Sequence, residues 1–208
     1  MQRFFIILGI LIGVLGLSFT SSMAQVPSDC QVSSDVVAEI RQMLTAIDNQ
    51  IYELWTPDEI ACACIEIYYN DPPTADFHEQ VVRSAIILLG KTGDKRAVPV
   101  LIDAIETHAP QALYALGNFP TVEALEALTA NIRNEDPEAR ENAAEGLRRM
   151  PSPGKEIPEG WTQALKKAIN EINEWLKIED EPTFIEYFRD ARANLTELLE
   201  KATVSQTE

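Results

Sequence analysis

Apolar positions recur along this chain at the spacing of a helix face, and the recurrence itself repeats. Val98, Leu101 and Ile105 form an i, i+3, i+7 set, and Leu125, Leu128 and Ile132 form the same set 27 residues later. Ahead of each lies a denser phrase, Ala85-Ile86-Ile87-Leu88-Leu89-Gly90 and Ala112-Leu113-Tyr114-Ala115-Leu116-Gly117, and a third version, Ala143-Ala144-Glu145-Gly146-Leu147-Arg148, begins 31 residues after the second. Each unit reads as a helix A, a short turn and a helix B, the period of stacked helical hairpins. The small residues Ala85, Ala112, Ala115, Ala143 and Gly146 suit a close approach between A helices, and the leucines and isoleucines fill the gap between neighbouring hairpins. The pattern predicts helices over 34–50, 57–69, 76–90, 95–107, 110–117, 121–134, 137–149, 160–178 and 183–202, with no β-pattern of useful length. One hairpin cannot bury both of its faces, so three or more must stack. The expected fold is all-α, an α-solenoid with a right-handed superhelix of antiparallel hairpins.

Local punctuation supports these boundaries. Thr56-Pro57-Asp58-Glu59 offers a cap, a first-turn proline and a glutamate that reaches back, Asp136-Pro137-Glu138 repeats the device, and Asp94 and Thr121 are expected caps of B helices. In the last helix Phe184, Tyr187, Phe188, Ala191 and Leu195 make an apolar stripe opposite Glu186, Arg189, Asp190 and Glu197, so it reads as a closing cap. Its polar face is not basic, unlike that of a membrane-surface helix. The segment from Pro151 to Gly160 reads as a stiff spacer, and residues 203–208 as a frayed, disordered tail.

The run Val82-Arg83-Ser84-Ala85 to Leu89-Gly90-Lys91-Thr92-Gly93-Asp94-Lys95-Arg96-Ala97-Val98-Pro99-Val100-Leu101-Ile102 resembles the HEAT repeat, in the short subtype found in phycobilin lyases. The likeness is good over 82–106, moderate over 109–133 and 137–150, and vague elsewhere; Asn118-Phe119-Pro120 stands where the first copy has its Gly-Asp turn. The resemblance implies an α-solenoid that binds something, usually a protein, and implies no activity. The organisation expected is a signal peptide at 1–24, an amino-terminal arm and capping helices at 25–75, HEAT-like repeats at 76–178, a capping helix at 179–202 and the tail.

The signal peptide rests on Arg3, the apolar stretch from Phe4 to Phe19 and the small-residue ending Ser22-Met23-Ala24, with cleavage expected before Gln25. Glycines 9, 13 and 16 interrupt that stretch, which falls short of the roughly 20 apolar residues a spanning helix needs. The protein is thus expected to be exported, periplasmic or extracellular, with no membrane insertion after cleavage. Losing Arg3 makes the mature chain one unit more negative than the −16 of the full sequence. Such a surface repels nucleic-acid backbones, which argues against a DNA-binding role. The acid is concentrated early: residues 25–110 hold 14 acids against 5 bases, so a cationic partner would gather there.

Of three cysteines, Cys62 and Cys64 lie two apart on a predicted helix, where their side chains diverge by about 200°. A bridge from Cys30 to either would pin the arm to that helix and leave the third thiol buried. Three cysteines with no neighbouring histidine make a poor zinc site, and His78 and His108 are each alone in the sequence. Gly90-Lys91-Thr92 imitates the end of a phosphate loop, but Ala85 stands at the earlier glycine position and no strand precedes it. No metal, cofactor or catalytic grouping is expected.

The function expected is an exported scaffold or adaptor with no catalysis of its own: a protein partner would lie on the polar face of the B helices, which carries Asp103, Glu106, Glu126, Arg133, Lys166 and Asn170.

 The aromatics Tyr52, Trp55, Tyr68 and Tyr69 offer a second candidate surface. The other readings are a structural subunit of a larger complex and, through the phycobilin-lyase flavour of the repeats, a lyase. Export would separate a lyase from cytoplasmic pigment assembly. The acidic surface and the closing helix favour a monomer.

Overall fold

The repeated phrases become the buried seams of a stack. A computed structural model describes residues 26–46, 51–72, 74–75 and 77–205, and among these residues it contains α-helices and no strand. In chain order they are α1 (Ser34–Ala46), α2 (Ile51–Leu54), α3 (Pro57–Asn70), α4 (His78–Thr92), α5 (Ala97–Leu116), α6 (Val122–Ala130), α7 (Pro137–Arg149), α8 (Trp161–Trp175) and α9 (Pro182–Ser205). The fold is an α-solenoid. One layer runs through α1, α4, the second half of α5 and α7. The other runs through α3, the first half of α5, α6 and α8, and α9 packs on both α7 and α8.

Small residues bring the first layer together. A Cβ added to Gly90 would lie 2.7 Å from the Ala115 Cα, and one on Gly117 would lie 2.5 Å from the Gly146 Cα. No side chain larger than hydrogen fits at Gly117 unless the backbones separate. The next repeat also ties back to the one before it: Asn118 donates through Nδ2 to the Gly90 carbonyl at 2.7 Å, satisfying a group that the helix end leaves open. At the far end Asn194 donates to the Leu147 and Met150 carbonyls at 2.9 and 3.2 Å. Between the layers Val98, Leu101, Leu125, Leu128 and Ile132 are buried, as their spacing predicts.

Several boundaries move for local reasons. The helix expected over 34–50 ends at Ala46, with residues 47–50 outside the described residues, and the one-turn α2 follows. The helix expected from 76 starts at His78, after Phe77 in a left-handed conformation with φ 60°. The two helices expected over 95–107 and 110–117 are the two arms of α5, which meet at a kink where His108 leaves helical geometry (φ −136°, ψ 44°). Pro110, with no N–H to donate, sits in the first turn of the second half, where that loss is tolerated. The helix expected over 121–134 stops at Ala130, and that over 160–178 narrows to Trp161–Trp175. Residues 203–205 belong to α9 and not to a frayed tail; 206–208 lie outside the described residues, as do residues 1–25.

The caps follow the sequence closely. Thr56 and Glu59 form a reciprocal capping box, and Thr121 accepts from the Ala124 amide at 3.2 Å. Asp136 accepts from the Glu138 amide at 2.9 Å. Asp94 acts earlier than a helix cap: its carboxylate takes the Arg96 amide at 2.9 Å, and Arg96 itself holds the N-cap position of α5.

Both ends of the stack are covered. Cys30 is joined to Cys62, with Cα atoms 5.0 Å apart, while Cys64 is a buried free thiol. Arg96 reinforces the same clamp by pairing with Asp58 and Asp94 and by donating to the Asp29 carbonyl at 3.4 Å. At the other end Phe188, Ala191, Leu195, Leu198 and Ala202 of α9 are buried, with Phe184 and Tyr187 half-buried beside them.

Candidate functional site

The second layer turns a polar helix face to solvent, and its residues fall into register across three helices. Glu126 and Thr129 of α6 and the nearby Arg133 line a cavity of about 200 Å³ whose other wall is Ala164, Lys167 and Glu171 of α8. Arg133, just past the end of α6, donates to Glu171 at 3.3 Å, and its guanidinium lies 5.7 Å from the Trp175 ring centroid. Both partners of the ion pair are nearly half exposed, so the pair adds little stability and can open to a ligand. Thr129 is spoken for, since its hydroxyl donates to the Leu125 carbonyl at 2.7 Å.

Going back one repeat, Asp103 and Glu106 are exposed on α5 beside Ile102, which is 37% exposed. Tyr68 of α3 donates through its hydroxyl to Asp103 at 3.2 Å, and its ring meets that of Tyr69 edge to face at 4.8 Å. Burial, followed by the neighbouring Asp103 charge, pushes both phenols above their ordinary value, Tyr69 to about 12. They are neutral donors at any ordinary pH. None of Asp103, Glu106 and Glu126 forms an ion pair among the described residues.

Of the six residues expected on this face, Glu126 and Arg133 therefore share one cavity, and Asp103 and Glu106 extend the face toward α3. Lys166 and Asn170 do not line the cavity: they are exposed one position away from Lys167 and Glu171, which do. A residue turns 100° around a helix, so an error of one position moves a side chain off the face. Of the aromatics, Tyr68 and Tyr69 join the face, Trp55 is half-buried against the core, and the Tyr52 side chain lies outside the described residues.

The first layer carries a feature that local sequence reading does not reveal. Asp71, its side chain only 2% exposed, accepts from the guanidinium of Arg41 of α1, and His78 Nδ1 lies 2.7 Å from its Oδ2. Burial works to raise the Asp71 carboxyl, but hydrogen bonds from Arg41 and His78 outweigh it and hold the group below the usual carboxylate range. His78 is thus not alone, and neither is His108, whose Nε2 is 3.5 Å from Glu79. His78 also lines an open groove with Phe77, Arg83, Ser84, Ile87 and Gln111. Partners 30 and 7 residues from Asp71 share no helical period, so no spacing announces them.

Among the described residues no group of three or more His, Cys, Asp and Glu side chains is placed to hold a metal ion. No described helix is long and apolar enough to cross a membrane.

This architecture defines a helical-repeat protein. Residues 74–148 match the family model for HEAT repeats, covering the segment from the turn before α4 to the end of α7. No curated protein and no solved structure matches the chain. HEAT repeats generally mediate protein–protein interaction, and the matched segment contains the Asp103, Glu106, Glu126 and Arg133 face.

Proposed function

We propose that this chain is a non-catalytic scaffold or adaptor of the cell envelope that binds a protein through the face formed by α3, α5, α6 and α8. The carrying observation is the cavity between α6 and α8, where Arg133, Lys167, Glu126 and Glu171 offer hydrogen-bonding groups around an apolar floor of Ala164 and Ala168. The apolar start of the chain and its Ser22-Met23-Ala24 ending support export, and N-terminal sequencing of the secreted protein checks it, Gln25 being the expected first residue.

The test of binding is a variant that fills the cavity without disturbing the core. Ala130 lines it and is exposed, so Ala130→Trp should abolish capture of an envelope protein by the immobilised chain and leave the melting temperature unchanged. Capture that survives this substitution sinks the proposal. A structural-subunit reading gains support from the groove on the opposite layer, beside Phe77, which is 64% exposed. A chain that is monomeric and cooperatively folded in isolation counts against that reading. Specific tetrapyrrole binding, followed by absorbance, would overturn the non-catalytic assignment.

A further inference from the structure

We infer that the segment captured on the α3–α5–α6 face is basic, with an apolar side chain between its cationic ones; this rests on the binding face proposed above. The face combines two unlike surfaces. Asp103, Glu106 and Glu126 carry negative charge that no cation of the described residues neutralises by an ion pair, whereas Glu171, across the cavity from Glu126, is paired with Arg133. Beside Asp103 lie the exposed Ile102 and the half-buried Tyr68–Tyr69 pair, with Tyr68 donating to Asp103 at 3.2 Å. The first cations met along the face are Arg133 and Lys167, at the α6–α8 cavity.

An apolar anchor beside unpaired carboxylates is complementary to a segment whose lysines or arginines flank a leucine or aromatic residue. An acidic segment would meet like charge there, in a chain whose formal charge is already −16, and a second copy of the chain meets the same penalty. Neighbouring helices pack about 8–10 Å apart, so the face from α3 to α6 spans about 20 Å, the reach of about six residues of extended chain.

The experiment uses the leaderless full chain and fluorescein-labelled peptides of about seven residues, one central leucine flanked by lysines, with matched versions carrying glutamine or glutamate for lysine. Fluorescence anisotropy should show the lysine peptide binding about tenfold more tightly than the glutamine one, the glutamate peptide not at all, and the preference fading as salt is raised. Asp103→Lys, Glu106→Lys and Glu126→Lys together should erase the preference. Glu179→Lys, Glu186→Lys and Glu200→Lys, which change the net charge equally away from the face, should leave it within about twofold.

Equal losses in both triple variants, or equal binding of lysine and glutamine peptides, overturn the inference. If lysine and glutamine peptides bind equally and Ile102→Glu removes both, the face still docks protein segments and only its charge selection is lost. If no peptide binds and Ala130→Trp leaves partner capture intact, the binding face itself falls with it.

Discussion

At its first hairpin the stack is closed by a covalent bond and by charge: Cys30–Cys62, Arg96 with Asp58 and Asp94, and Asp71 between Arg41 and His78. At its last hairpin the closure is a 24-residue helix that buries Phe188, Ala191, Leu195 and Leu198 and adds two hydrogen bonds from Asn194. The difference follows from the material at each end. The described arm before α1, residues 26–33, holds no helix and is stapled down, whereas α9 has enough apolar surface to hold itself. Repeat proteins gain stability from contacts between neighbours, so each closure protects chiefly the hairpin it touches.

The largest expected effect is at the apolar end. Phe188→Ala should cost about 4 kcal/mol, and hydrogen exchange should show α7, α8 and α9 losing protection while α3 and α4 keep theirs. Uniform loss across the stack would mean that the two ends are one cooperative unit. Next comes Cys30→Ser, which opens a 32-residue separation and should cost about 3–4 kcal/mol on the chain-entropy account. Its effect should match that of a reducing agent on the native chain and be confined to the first hairpin.

Asp71→Ala should cost about 2 kcal/mol, since it leaves Arg41 and His78 without the acceptor they share. The smallest effect is that of acid. Asp94 is held low mainly by its hydrogen bond from Arg96, and Asp71 is low despite burial, so both contribute stability above the ordinary carboxylate value near about 3.9. That contribution disappears as pH falls through their lower folded values. Amide exchange followed below about pH 4 should therefore loosen α1 and α3 before α9, and the reverse order would contradict the comparison.

The solenoid was legible because its signal is local and repeated. A helix face declares itself within seven residues, and Ala85, Ala112, Ala115, Ala143 and Gly146 are all buried where the repeat placed them. The break between 107 and 110 was legible from Pro110, and it survives as the His108 kink and not as a loop. On the binding face the repeat located the helices but not their rotation, and Lys166 and Asn170 were expected where Lys167 and Glu171 stand. Which cysteine meets Cys30 is likewise a matter of helix rotation, since Cys62 and Cys64 are equally apolar in sequence and equally buried. The Arg41–Asp71–His78 cluster depends on three segments converging, which no local pattern encodes.

In α5 the B helix of one hairpin meets the A helix of the next at the His108 kink, with a bend in place of a loop, so those two hairpins have little slack between them. The ten-residue Pro151–Gly160 connection is slack by comparison, so α8 is held to the rest by its packing on α6 and by α9, which packs on α7 and donates from Asn194 to the Leu147 and Met150 carbonyls. A ligand wedged between α6 and α8 would therefore bear on a packing contact and not on a tight turn of the chain.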